Sequence, residues 1–173
     1  MLEPSAFRLK THLHNAGSIK GHKITLKEFL MTMRFYELLT HAQQEASPKS
    51  ESLTLDQLRA LTWQTIIVSR EAKREGIKIS DSEVQIEIKH LFSVHGEFDL
   101  SLYEEWVRKN FRSQPRDFEE TVRKHLTVQK MREKIISRVP DAERDNRWLE
   151  WLRNTIGNAQ LKDYTAKDYS TTE

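Results

Sequence analysis

The chain has 173 residues, 37% of them hydrophobic and 31% charged, and its 28 basic and 26 acidic residues leave a net charge of +2. One domain of this size removes roughly 70% of its unfolded surface from water, but so many charges suit a slim helical protein better than a compact α/β enzyme, and 5 Gly with 4 Pro leave little material for hairpins or phosphate loops. The absence of cysteine excludes disulfides, thiolate catalysis and Cys-based zinc sites, and no run reaches the ~20 apolar residues of a membrane span.

Residues 16–25, AGSIKGHKIT, are glycine-flanked and β-tolerant, which predicts a strand or two running into a helix. Thr25 with Glu28 spells a capping box, and Leu26, Phe29, Leu30, Met33 and Leu39 then recur at helical spacing to about Ala46. ASPKSES is a polar connection. Thr54 with Gln57 opens a second helix by the same device. Leu55, Leu58, Leu61, Trp63, Ile66, Ile67 and Val68 make it apolar over a wide arc, which predicts the central, most buried helix. Gly76 stops it, and Ile77 and Ile79 form an apolar clip to a third helix. Ser80 and Glu83 cap that helix, and Val84, Ile88, Leu91 and Phe92 form its inner face.

Gly96 permits a turn in VHGEFD, and Asp99 or Ser101 starts a fourth helix presenting Leu102, Trp106 and Val107. Pro115 suits a first helical position. The fifth helix runs to about Val139 with Phe118, Val122, Leu126, Met131 and Ile135 along one side. Asp141 caps a sixth helix bearing Trp148, Leu149, Trp151, Leu152 and Ile156, which Gly157 ends. NAQLKDY is then a candidate terminal strand for pairing with AGSIKGHKIT. The expected fold class is mainly α: an irregular bundle of about six helices with a small β-pairing of the N- and C-terminal segments. The chain divides into an N-terminal extension (1–15), a helical domain (16–164) and a disordered tail (165–173).

Chemistry is hard to find in this pattern. His12 and His14 alternate, which is not helical metal spacing; His90 and His95 flank a helix end; His22, His41 and His125 lie far apart without a carboxylate cluster. Glu104/Glu105 and Glu119/Glu120 are adjacent and so diverge around a helix rather than converge on a substrate. HExxH, GxSxG, GxGxxG and phosphate-loop motifs are absent. Arg123, Lys124, Lys130 and Lys134 interleave with Asp117, Glu119, Glu120 and Glu133, a solvated face rather than a nucleic-acid site. The aromatics stand out instead. Trp148, Trp151 and Leu152 make one apolar side of a short helix, and a contiguous exposed patch of that kind marks a binding site.

The order of these elements resembles the N-terminal chaperone domain of the SurA/PpiD-like parvulin-type peptidyl-prolyl isomerases. The matching stretches are IKGHKITLKEF, IIVSREAKREGIKISDSEVQIEI, HLFSVHGEFDLSLYEEWVRKNF, PRDFEETVRKHLTVQKMREKII and WLEWLRNTIGNAQL, together most of residues 19–161. A-x-x-x-G-I-x-I-S-D-x-E-V followed by F-x-x-x-G-x-F-D-x-x-x-Y is the most specific part. Lys20 stands where the family usually has Asn before glycine.

The resemblance implies a helical cradle whose last helix and strand return to the first, binding unfolded polypeptides through apolar grooves without ATP or any cofactor. Family members insert the parvulin domain between the long helix and the closing helix. Here that junction is ISRVPDAERDNRWLEW, too short for a domain of roughly 50 residues, so isomerase activity is expected to be absent. Trp106, Phe111, Trp148 and Trp151 are the candidate peptide-binding residues. The expected partners are unfolded or extended polypeptides, with no nucleic acid and no membrane insertion. Self-association into a homodimer by exchange of the terminal helix and strand is a variant. The alternative is the chaperone portion of a larger parvulin-type isomerase. The resemblance implies a periplasmic or cell-envelope setting; a native N-terminus without a leader would imply the cytoplasm.

Overall fold

The computed structural model describes residues 14–46, 52–93 and 97–165. Gly96 and its expected turn, the connection residues 47–51, His12, His95 and the tail from residue 166 lie outside them. The chain opens on β1 (Asn15–Ile19) and β2 (His22–Thr25), continues through α1 (Leu26–Ala46), α2 (Leu55–Arg74), α3 (Asp81–Phe92) and α4 (Leu100–Trp106), and widens into a π-turn at Val107–Phe111. After α5 (Pro115–Ile136) come a 3₁₀ turn at Asp141–Glu143, α6 (Arg144–Gly157) and β3 (Lys162–Asp163). The fold is mainly α, with six helices and one three-stranded antiparallel sheet built from the two ends of the domain.

The helix starts follow from local chemistry. Thr54 and Ser80 each accept a hydrogen bond from the amide three residues on, while Gln57 and Glu83 reach back to the capping residue, so both capping boxes are complete. At α1 only half the device operates. The Glu28 amide donates to Thr25 Oγ1 (3.0 Å), but its carboxylate meets Lys124 (3.1 Å) and Arg70 (3.6 Å). Gly76, with φ of 77°, ends α2 in the left-handed region that costs glycine nothing. The α5 helix stops at Ile136, short of the expected Val139.

Helix α2 is the axle. Thr65 through Ser69 are buried without a break, because α1 and α5 pack on it and α6 closes its C-terminal half. Hydroxyls in so tight a space need acceptors, and they find them in their own helices. Thr62 donates to Leu58 O (2.7 Å) and Ser69 to Ile66 O (3.0 Å), as Thr32, Thr121 and Thr127 do on α1 and α5. A second tie holds α5 against the α2–α3 connection. Arg123 donates to Ile79 O (2.6 Å) and Asp81 (2.7 Å), Lys130 to Lys78 O and Glu83, and Lys134 to Glu75 (2.8 Å).

The sheet order is β2-β1-β3, so the returning C-terminal strand does pair with the first. Gly17 faces Asp163 and Ser18 faces Lys162, Lys20 N–H donates to Ala159 O (2.9 Å), and Tyr164 N–H donates to Ala16 O (2.9 Å). Thr165, placed in the tail by sequence, is buried and bonds the Asp163 carboxylate through its amide (2.8 Å) and hydroxyl (2.6 Å). In the hairpin, Lys20 (φ 48°) and Gly21 (φ 79°) both take positive φ, the geometry of a two-residue type I′ turn.

Burial also corrects one inward assignment. Leu91, placed on the inner face of α3, is 38% exposed, and Leu102 (64%) and Leu149 (48%) face solvent too, while Phe35 and Tyr36, not named among the core positions by sequence, are buried.

Two predictions follow from these ties. A Cβ on Gly17 would lie 2.1 Å from Lys162 O and 2.9 Å from the Trp63 ring. Gly17→Ala therefore costs about 3 kcal/mol in urea unfolding, the upper end of overpacking penalties, because one obstacle is backbone. At the α3 cap, the Lys130 ammonium and the Ser80 amide and hydroxyl pull the Glu83 carboxyl from its ordinary 4.5 down to about 2. A depressed carboxyl contributes stability above its unfolded pKa and loses it as pH falls through the folded one. Glu83→Gln is thus less stable than the natural protein at neutral pH, and the gap in urea midpoint closes between pH 4.5 and about 2.

Candidate peptide-binding surfaces

The four aromatics singled out by sequence divide between two places. Trp106 and Phe111 belong to a cluster centred on Phe118 of α5, whose ring centroid lies 5.1 Å from Phe111, 5.7 Å from Phe35 and Phe92, 5.9 Å from Trp106 and 6.1 Å from Tyr103. Most of these rings meet edge-to-face, the arrangement that sets a ring's positive edge against a neighbour's negative face.

Local sequence builds this hub. The Asp99 carboxylate, rather than the Ser101 hydroxyl, caps α4 by accepting from the amides of Ser101 (2.8 Å) and Leu102 (3.1 Å). The chain then widens, and Arg112 N–H donates to Val107 O (3.0 Å), five residues back. Tyr103, Val107 and Phe111, four apart, all point inward, leaving Leu102 one step out of phase and exposed. The carbonyl of Asn110 is claimed by Arg34 of α1, whose Nε and Nη2 both donate to it (2.9 and 2.8 Å) while Nη1 holds Glu37 (2.6 Å). Arg112, at φ of 58°, ends the turn.

Phe111 is therefore corrected from a binding residue to a core residue: it is 1% exposed and sealed by Phe118. Trp106 is half-buried at the rim, edge-on to Phe92 at 4.8 Å. The helices that hold these rings also carry exposed leucines: Leu91, next to Phe92 in sequence, and Leu100 and Leu102 of α4, the last two 59% and 64% exposed. None of the three leucines was singled out as a site residue. A hydrophobic residue out of phase with its helix's buried face is the signal that would have found Leu102.

Trp148 and Trp151 stack on each other, centroids 5.1 Å apart and planes at 16°, over a separate small core of Val68, Ala72, Met131 and Leu152. Both are half-buried, with exposed Leu149 next to them. The two pairs thus pack against different cores.

Among the described residues no group of three His, Asp or Glu side chains could hold a metal. His125 lies under the Tyr36 hydroxyl (Nδ1 at 3.3 Å) and beside the Phe35 ring, and burial pushes its pKa below the ordinary value. The Tyr103 hydroxyl is buried without a partner, and burial raises its pKa. The four α5 cations that the sequence placed on a solvated face each have an acidic partner: Arg123 with Asp81, Lys124 with Glu28, Lys130 with Glu83 and Lys134 with Glu75. Among the described residues no helix is long and apolar enough to cross a membrane.

Compared with known families, residues 5–132 match the profile of the SurA-like N-terminal domain, a stretch that holds the whole aromatic hub and stops before α6. No curated protein and no solved structure matches the chain.

A core role for Phe111 has a measurable consequence. Phe111→Ala should cost about 3–5 kcal/mol in chemical unfolding, the usual loss for a buried phenylalanine.

Proposed function

The chain belongs to the SurA-like N-terminal domain family, whose role is of the chaperone type in general, and from that premise we propose that it binds unfolded or extended polypeptides without ATP. The observation that carries this reading is the exposure of Leu91, Leu100 and Leu102 on α3 and α4, the helices that also supply Phe92, Tyr103 and the half-buried Trp106 to the aromatic hub. Apolar side chains held out of the core by a stiff support keep their surface available to a client, and its burial is driven chiefly by the release of water. Binding of this kind discriminates weakly between sequences, as a chaperone requires. Trp148, Trp151 and Leu149 on α6 offer a second apolar surface of the same kind.

The proposed activity does not include proline isomerisation. Only seven residues, 137–143, separate α5 from α6, where relatives carry the parvulin domain, and an inserted domain needs roughly 50. The periplasm, the family's setting, is the proposed location.

Suppression of light scattering by an unfolded outer-membrane-type client, with nucleotide omitted, tests the proposal. The natural protein in several-fold excess should suppress aggregation and show no proline-isomerase activity. The double substitution Leu100→Gln, Leu102→Gln should lose most of the effect while changing stability by no more than about 0.5 kcal/mol per site, as exposed positions do. No suppression by the natural protein, or full suppression by the double variant, would count against this reading.

A further inference from the structure

Away from both apolar surfaces, an open cleft of about 560 Å³ lies between the β1–β2 hairpin, α2 and the C-terminal end of α6. Ile19, Ile67 and Ala159 contribute its apolar part. Its charged lining is unbalanced. Arg70, Lys73, Arg74, Lys124 and Lys20 stand against only Glu28 and Glu71. Glu28 is shared between Arg70 and Lys124, and Glu71 is taken by Arg74 (2.8 Å). Among the described residues Lys20 and Lys73 have no acidic partner. Among the described residues the buried Arg70 Nε–H has no acceptor.

An orphan guanidinium donor is costly, because burial removes its water without returning a hydrogen bond. The exposed part of the same guanidinium lines the cleft together with Lys20 and Lys73, and such a group of cations suits an anion with a planar pair of oxygens. The neighbouring apolar wall narrows the choice. A nucleic-acid backbone needs an open run of unpaired cations, whereas here Glu28 sits among the cations and aliphatic side chains line the rest. A chain end that carries a carboxylate one bond from the Cα of an apolar residue meets both surfaces at once. The volume lies within the range of ordinary ligand sites.

We propose that this cleft captures the C-terminal α-carboxylate of a bound polypeptide, with Arg70, Lys73 and Lys20 as the anion side and Ile19, Ile67 and Ala159 receiving the last apolar side chain. The inference rests on the polypeptide-binding reading above and adds polarity to it: clients ending in an apolar residue are held by their end as well as by their apolar segments. Lys20 and Lys73 are exposed and unpaired, so they can be changed without breaking an internal tie. Asparagine also suits the left-handed φ of residue 20 better than lysine does.

The test uses fluorescence anisotropy with an extended peptide ending in Phe, as the free acid, as the amide, and as the amide with one internal Glu. The free acid should bind the natural protein about tenfold more tightly than the amide, the weight of one charge-assisted hydrogen bond. That advantage should vanish in Lys20→Asn, Lys73→Gln, whose thermal midpoint stays at or above that of the natural protein, and in Arg70→Gln. Equal binding of acid and amide would overturn the carboxylate site and leave general polypeptide binding standing. Recovery of the full advantage by the internal Glu would overturn the chain-end assignment, and an advantage unchanged in the variants would overturn the location. Binding of no peptide form would overturn both this inference and the reading beneath it.

Discussion

The fold depends on one close approach. At residue 17 the strand β1 runs so near to the Trp63 ring of α2 and to the Lys162 carbonyl of β3 that only a hydrogen atom fits where a side chain would stand. This contact joins three distant parts of the chain: the first strand, the central helix and the last strand. Once β3 is held there, α6 must lie along α2 and α5, and the second small core of Val68, Ala72, Met131 and Leu152 closes beneath it. The bulge between Asn15 and Gly17 keeps β1 in register with β2 while it makes this approach.

Around that closure the molecule divides its labour between dry and charged contacts. The dry part is the Phe118 hub, in which six rings from α1, α3, α4, the π-turn and α5 meet. The charged part is the row of α5 cations that reach across to carbonyls and carboxylates of the α2–α3 connection. Pairs so exposed add little individually. Their contribution here is positional, since carbonyls at the C-terminal side of α2 would otherwise lack donors. The end of the π-turn shows the same logic in miniature: the Asn110 carbonyl lies in the last turn, where the helix leaves its carbonyls without an amide partner, and Arg34 donates to it from another helix.

Much of this was legible locally. Thr54/Gln57, Ser80/Glu83, Gly76 and Pro115 stand where short-range patterns put them, because capping and turn chemistry act over three or four residues. The family resemblance and the mainly α class were legible too. The candidate site was legible only in part. Phe111 and Trp106 were chosen for size, and size does not say which way a ring points. Tyr103 sets the inner line of α4 and leaves Leu102 outside it, and the π-turn then carries Val107 and Phe111 along the same inner line.

By itself, then, the sequence determined the number and order of the helices, most of their caps and the central place of α2, since each depends on spacing and on residues a few positions apart; the return of the last strand to the first was legible from the family resemblance rather than from any local pattern. Only the tertiary structure decided which aromatics are core and which are rim, that Glu28 serves Lys124 and Arg70 rather than its own helix start, and that cations from the hairpin, α2 and α5 gather on one cleft. Those outcomes turn on contacts between residues tens of positions apart, where the free energy depends on packing and desolvation that no local pattern encodes.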